Sequence, residues 1–194
     1  MPHSILDRLR QETAPMHREL EDAVDIASRI RSRREYQRLL EQFLGFYAPM
    51  EDRMAACRDW AAEGIDFERR RKAPWLRKDL SAMGLRPDEI DALPVCEDLP
   101  SMPDGDTAAG CFYVIEGSTL GGRHISAMLA DSESPGTARR FFQGYGDHTG
   151  TKWKQTCATL EEMARKGQAD RIISGAAETF RSLQRWMAHQ GSLA

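Results

Sequence analysis

The chain has 194 residues, with 27 basic and 30 acidic side chains and a formal net charge of -3. This balance does not indicate nucleic acid or an anionic membrane surface as a general partner. The length suits one domain over residues 1–194 and allows a substantial core.

The four cysteines are widely separated and form no Cys-x-x-Cys pair, so neither a zinc site nor a redox dithiol is indicated. The N-terminus has no apolar signal core, and no run of about eighteen apolar residues occurs anywhere in the chain. We therefore expect a soluble cytoplasmic protein with reduced thiols.

The first predicted helix begins near Ile5, because apolar side chains recur at helical spacing from that residue onward. Ser4, with Asp7 three residues later, resembles a capping box. Pro15 lacks a backbone donor, so the helix is expected either to kink there or to begin afresh. In both cases His17 lies just past the proline.

Further helices are predicted where apolar residues keep a three-and-four spacing. Their ranges are 33–61, 76–83, 106–130, 150–166 and 168–189, with short helices after Pro87 and through Phe141 and Phe142. Gly45 and Pro49 are the expected bend points of the helix over 33–61. No segment alternates with period two for long enough to predict a strand, so the fold class is predicted to be all-α.

The segments between these helices carry the turn-forming residues. Residues 94–105, which are rich in proline and acids, form the clearest connector, and residues 134–136 (Ser-Pro-Gly) mark a break. The basic run at residues 69–72 (Arg-Arg-Arg-Lys) lies in an irregular stretch. We interpret it as a solvated turn rather than a binding patch.

Three glycines, Gly117, Gly121 and Gly122, fall inside the helix predicted over 106–130. Each costs about 1 kcal/mol relative to alanine in a helix interior, so a compensating role is expected. Gly117 and Gly121 share one face of the helix, and Gly122 widens it. The resulting strip of bare backbone admits either another helix or a flat ligand.

The spacing from Gly117 to Gly122 also matches the glycines of a phosphate-binding loop. Arg123 stands where that loop has lysine, and His124 stands where a serine or threonine would bind magnesium. These two departures argue against a phosphate loop.

None of the five histidines forms a His-Glu-x-x-His pair or another spacing typical of several metal ligands. Glu21, one turn after His17, is placed to accept from one ring nitrogen and leave the other for coordination. A surface helix pair is the plainer interpretation of that spacing. His124 lies on nearly the same face as Gly117 and is placed to approach a ligand there, with a surface or core histidine as the alternative.

Two motifs taken together resemble the heme oxygenase family. They are residues 16–21 (Met-His-Arg-Glu-Leu-Glu) and residues 116–122 (Glu-Gly-Ser-Thr-Leu-Gly-Gly). The second motif is similar to that of bacterial biliverdin-producing members, including those that supply chromophore to bacteriophytochromes. Residues 141–146, 152–155 and 180–184 follow the family's order and spacing, so the resemblance spans nearly the whole chain.

This resemblance implies an all-α heme oxygenase-like fold with heme between a proximal and a distal helix. His17 would be the axial ligand of heme iron, and Glu21 would orient it. One histidine suffices for heme because the porphyrin supplies the four equatorial ligands. The distal, catalytic side would be formed by Gly117, Ser118, Gly121 and Gly122.

The resemblance also implies further heme contacts and shows two departures. Arg10 and Lys154 match basic positions that contact the heme propionates in relatives, and Phe180 matches an aromatic of the pocket wall, with core packing as its alternative role. Many members have an aspartate where Ser118 stands, and that aspartate organises distal waters. Ala158 stands where a further arginine is often found.

The implied reaction opens heme, which is both substrate and cofactor, to biliverdin, carbon monoxide and iron with O2 and external electrons. The electrons would come from an NADPH- or ferredoxin-linked reductase, because the chain has no nucleotide or iron–sulfur motif. A bacteriophytochrome is the biliverdin acceptor suggested by the relatives. Two alternatives stay open: a non-catalytic heme carrier or sensor of the same fold, and a helical interaction protein that binds no heme.

Overall fold

The computed structural model describes residues 4–130 and 138–191. Within these residues the chain forms α-helices and short 3-10 and π-helical segments, with no strand. The all-α class predicted from the sequence is confirmed. No helix of this part of the chain is long and apolar enough to cross a membrane. The break predicted at residues 134–136 lies outside the described residues.

The α-helices of the described part are numbered in chain order. They are α1 Ile5–Val24, α2 Ile26–Arg29, α3 Arg33–Cys57, α4 Ala73–Ala82, α5 Pro87–Asp91, α6 Gly105–Ala130, α7 Arg140–Gln143, α8 Thr149–Met163 and α9 Ala169–Gly191. Short 3-10 turns lie at Ala61–Glu63, Glu68–Arg70 and Gly146–His148, and a π-helical segment at Ala164–Gln168 joins α8 to α9.

Helix α1 begins at Ile5, as the sequence predicts. The Oγ atom of Ser4 accepts a hydrogen bond from the backbone N–H of Asp7 at 3.2 Å, which satisfies one of the free donors of the first turn. The helix runs through Pro15 to Val24 without starting afresh. It therefore carries His17 as part of one continuous helix.

Helix α3 ends at Cys57 and not at residue 61, where its predicted range ended. It is continuous through Gly45 and Pro49. Gly45 has a packing role, because a Cβ atom there would lie 2.4 Å from the carbonyl oxygen of Pro94. The backbone of the 94–105 connector therefore passes directly over α3 at this glycine.

The helices that build the core meet on α6 and α9. Helix α6 packs along α9, α1 also packs on α9, and α8 flanks α6, while α3 pairs with α4 and contacts α6. One hydrophobic cluster is centred on α3 and α4, and a smaller one joins α1, α6, α8 and α9. As a result α1 and α6 share a common support, α9.

The contact between α6 and α9 depends on two glycines that the sequence analysis did not single out. A Cβ atom at Gly110 would lie 1.9 Å from the carbonyl oxygen of Ile172, and one at Gly175 would lie 2.2 Å from the carbonyl oxygen of Thr107. Real Cβ contacts are not this short, so the two backbones touch only because both positions lack a side chain.

We expect Gly175→Ala to lower the free energy of unfolding by about 1–3 kcal/mol, because the added methyl group forces the two helices apart. Gly150→Ala is the matched control: no heavy atom lies within 4 Å of its added Cβ, and alanine in a helix should raise stability by up to about 1 kcal/mol. Urea unfolding followed by circular dichroism measures both. Equal effects of the two substitutions would contradict the close contact of α6 with α9.

Candidate functional site

A cleft opens beside α1 and α6, and its walls are mostly apolar. Its inner part is a cavity of about 190 Å³ lined by Thr13, His17, Leu20, Tyr47, Tyr113, Val114, Gly117, Ser118, Leu120, Trp153, Phe180 and Leu183. An adjoining cavity of about 320 Å³ shares Thr13, His17 and Tyr113, and adds Arg10, Ala14 and Arg18. The cleft therefore combines an apolar interior with two guanidinium groups on its outer side.

His17 lines both cavities. One of its ring nitrogens contacts the carboxylate of Glu21. The Nδ1 atom is 3.3 Å from a carboxylate oxygen of Glu21, one turn further along α1. The imidazole ring also makes an edge contact with the ring of Phe180 on α9, at 5.7 Å between ring centroids. A carboxylate at Nδ1 favours the proton on that nitrogen, so Nε2 is left as a ligand atom.

The three glycines of α6 have different surroundings. A Cβ atom at Gly121 would meet no heavy atom within 4 Å, and one at Gly117 would make only an ordinary contact with the Trp153 ring at 3.7 Å. At Gly122, by contrast, a Cβ atom would lie 2.4 Å from the carbonyl oxygen of Phe142. The open part of the strip is therefore formed by Gly117 and Gly121, whereas Gly122 admits the backbone of α7.

Two hydroxyl groups meet at the edge of the glycine strip. The Oη atom of Tyr47 donates to Ser118 Oγ at 3.0 Å, and Ser118 Oγ donates to the carbonyl oxygen of Ile115 at 2.8 Å. Burial raises the pKa of Tyr47, so its hydroxyl keeps its proton and remains a donor. In the sequence, the spacing of Tyr47 within the helix predicted over 33–61 is that of an apolar face, which is typical of a core residue.

Of the basic residues expected near the cleft, some line its walls and others lie outside them. Arg10 lines its outer part, and Arg18, which the sequence analysis named only within a motif, lines it too. Lys154 is exposed on α8 and does not belong to the walls of either cavity. Ala158 on α8 and His124 on α6 are also exposed and outside the walls of both cavities. The two arginines are thus the cations on the walls of the cleft.

The basic run at residues 69–72 was predicted to be a solvated turn, and this is wrong for two of its members. Arg70 is 2% and Lys72 is 1% exposed, and both form ion pairs with the buried carboxylate of Glu116. Arg69 is exposed, as expected. The physical reason is that a carboxylate buried on α6 needs opposite charge, and this segment supplies it.

Glu51 forms a second buried acid beside this run. Its carboxylate accepts from the backbone N–H of Lys72 at 2.5 Å and of Ala73 at 3.2 Å, and so caps the N-terminus of α4. Burial raises the pKa of Glu51 to about 7 from 4.5. The folded state therefore binds this proton more tightly than the unfolded chain, and the corresponding stability is present below pH 4.5 and is lost as the pH rises through about 7.

Between pH 4.5 and 7.5 we expect the unaltered protein to lose about 2–3 kcal/mol more unfolding free energy than Glu51→Gln, which has no proton to release at this position. The exposed Glu97→Gln substitution is the control and should follow the unaltered protein. Urea unfolding at a series of pH values measures the difference. Parallel curves for the unaltered protein and Glu51→Gln would contradict the raised pKa.

Comparison with known proteins identifies the family. Residues 3–189 match the sequence model of the family described as heme oxygenase. The chain belongs to the heme oxygenase family. It is also 31% identical over 151 residues to a heme oxygenase of Xanthomonas campestris pv. campestris (strain 8004), a match that covers 75% of this chain and 84% of that protein. The family, the fold class and the heme oxygenase function predicted from the sequence are thereby confirmed.

Proposed function

We propose that the protein binds one heme in the cleft beside α1 and α6 and opens it to biliverdin, carbon monoxide and iron. The observation that carries this proposal is a histidine with one nitrogen held by Glu21 in the same cavity as Gly117. His17 supplies a ligand atom for iron, and the bare backbone of α6 leaves space on the other side of the ring. The two features together suit a flat macrocycle.

The chemistry of the walls also fits heme. The porphyrin ring is apolar and carries two carboxylates, and the cleft has an apolar interior with Arg10 and Arg18 on its outer side. The described residues hold no cluster of three or more His, Cys, Asp or Glu side chains for a metal ion. Heme needs none, because the porphyrin provides the equatorial ligands. When bound, heme supplies the redox-active iron that reacts with O2.

On the proximal side, His17 would bind the heme iron and Glu21 would orient the imidazole ring of His17. A carboxylate that accepts the Nδ1 proton fixes the ring orientation of His17 and makes Nε2 a better donor to the metal. Phe180 limits rotation of the imidazole by its edge contact.

On the distal side, the polar groups of the inner wall are hydroxyls. By the family resemblance, many relatives have an aspartate at the position of Ser118. Serine can form hydrogen bonds there but has no carboxylate. Tyr47 donates to Ser118, so the two hydroxyls form one hydrogen-bonded pair at the glycine strip. We propose that this pair holds and passes protons to the ligand side of the cleft.

Several partners belong to this proposal. Electrons come from an external NADPH- or ferredoxin-linked reductase, since the chain has no motif for a nucleotide or an iron–sulfur cluster. A bacteriophytochrome is the proposed acceptor of biliverdin. A cytoplasmic location is supported by the four cysteines, which are all free thiols.

Titration of the purified protein with hemin tests the proposal. We expect a saturable one-to-one Soret band and, after addition of a reductant in air, conversion to biliverdin with release of carbon monoxide. His17→Ala should weaken hemin binding roughly tenfold or more and abolish ring opening. His148→Ala is the control, because His148 is exposed and lies outside the walls of both cavities.

The alternatives give different results in the same experiment. Binding without ring opening would identify a heme carrier or sensor, and the serine at position 118 is the feature that favours that function. The absence of saturable binding would leave the glycines as packing contacts of a helical interaction protein. Each of these two outcomes contradicts the proposed enzyme.

Tyr47→Phe should slow ring opening about tenfold or more while hemin binding changes little, because it removes the donor to Ser118 but keeps the ring. Tyr36→Phe is the matched control. Its hydroxyl donates to the carbonyl oxygen of Ala138, away from the cleft walls, so this substitution should cost about 1 kcal/mol of stability and leave turnover unchanged. Ser118→Asp is also expected to change the rate. Unchanged single-turnover rates in both Tyr47→Phe and Ser118→Asp would contradict the proton role of the pair.

A further inference from the structure

The carboxylate of Glu116 is buried directly before the first glycine of the strip. Glu116 is 1% exposed, and Gly117 follows it on α6. Burying a carboxylate is costly unless it is paired and hydrogen-bonded. A carboxylate buried at this position therefore needs opposite charges and hydrogen-bond donors around it, and the neighbouring side chains provide both.

Three side chains from outside α6 hold this carboxylate. The guanidinium of Arg70 and the ammonium of Lys72 pair with its two oxygens, and Tyr145 Oη donates to it at 2.7 Å. Burial, together with the charge of Glu116, raises the pKa of Tyr145, which keeps that hydroxyl a donor. We call Glu116, Arg70, Lys72 and Tyr145 the Glu116 cluster.

The Glu116 cluster also reaches the wall opposite Gly117. Arg70 donates to the side-chain oxygen of Gln155 at 2.7 Å and to the carbonyl oxygen of Lys152 at 3.4 Å, both on α8. Between them lies Trp153, the ring against which Gly117 packs. One set of charges therefore ties α6 at the glycine strip to α8 at the tryptophan wall.

The polar groups of the cluster satisfy one another. Lys72 Nζ donates to the carbonyl oxygen of Arg70 at 2.6 Å in addition to its pairing with Glu116. Within the described residues, no buried side-chain atom of the cluster is left without a hydrogen-bond partner. A buried ion network is a weak source of stability compared with apolar packing, but its geometry is specific. The position of the cluster beside Gly117 points to a role in holding α6 in place.

We propose that the Glu116 cluster fixes the height and register of α6 over the heme, with Glu116 as a positioning residue for ring opening. This inference rests on the proposed function. A displacement of about 1 Å at a reacting centre costs up to about 100-fold in rate, so a helix that must approach a ring by its backbone needs such a fixed point. The close backbone contacts of α6 lie at Gly110, against α9, and at Gly122, against α7, so the cluster adds a polar attachment between them, at the residue directly before Gly117.

The test uses Glu116→Asp, which keeps the charge and shortens the side chain by one carbon. We expect turnover to fall about tenfold or more with hemin affinity nearly unchanged. The ratio of biliverdin isomers should change, because α6 moves relative to the ring. For the same reason, the pH at which the visible spectrum of the ferric heme complex is halfway between its acid and alkaline forms should shift; we call this pH the spectroscopic midpoint. In the heme-free protein, amide exchange at residues 116–121 should become about tenfold faster.

Asp104→Asn is the control at the start of the same helix, because Asp104 directly precedes α6. Asp104 accepts from the backbone N–H of Thr107 at 2.9 Å and pairs with Arg171, about 18 Å from Glu116 along α6. Its loss should destabilise the first turn and speed amide exchange there. It should leave the isomer ratio and the spectroscopic midpoint unchanged.

Tyr145→Phe provides a milder variant if Glu116→Asp does not fold. It removes one hydrogen bond to Glu116 and keeps both ion pairs, so the same readouts should move in the same direction by a smaller amount. The inference is overturned if the variants lose stability while the isomer ratio, the spectroscopic midpoint and the exchange at residues 116–121 all match the unaltered protein. Failure of the unaltered protein to bind hemin would instead overturn the proposed function, and amide exchange in the heme-free protein would still decide whether Glu116 fixes α6.

Discussion

Helix α6 presents bare backbone at Gly117, which lines the cleft, and at Gly121 one turn further on, and it is nevertheless held in place. Each glycine inside a helix costs about 1 kcal/mol relative to alanine, and at neither position does a close neighbour require the absence of a side chain. Helix α6 is held by contacts elsewhere: its backbone touches α9 at Gly110 and α7 at Gly122. The buried charges around Glu116 add a polar attachment directly beside the strip. A rigid helix with an open face follows from this division between positions that pack and positions that stay empty.

The same support positions the other side of the cleft. Helix α1 packs on α9, as α6 does, so His17 and the glycine strip are carried by helices that share one neighbour. Phe180 on α9 touches the imidazole of His17. Glu21 lies on the same helix as His17, so the contact that holds Nδ1 of His17 is local in sequence. The orientation of the histidine therefore depends on few long-range contacts.

Features with local causes could be predicted from the sequence. The start of α1 at Ile5, the pairing of His17 with Glu21 and the shared face of Gly117 and Gly121 all depend on residues within about one helical turn of each other. The missed features depend on partners that are remote in sequence. Glu116 pairs with Arg70 across 46 residues, and Tyr47 donates to Ser118 across 71. No periodicity shows which distant side chain a charge or hydroxyl will meet, so the basic run was interpreted as solvated and the role of Tyr47 was missed.

The most direct test of this account is a crystal structure of the protein with hemin. The account predicts iron bound to Nε2 of His17, with the ring plane facing the backbone at Gly117 and Gly121. It also predicts that the propionates lie on the side of Arg10 and Arg18, because these guanidinium groups line the outer part of the cleft. Iron bound to another side chain, or a ring outside the cleft beside α1 and α6, would contradict the account.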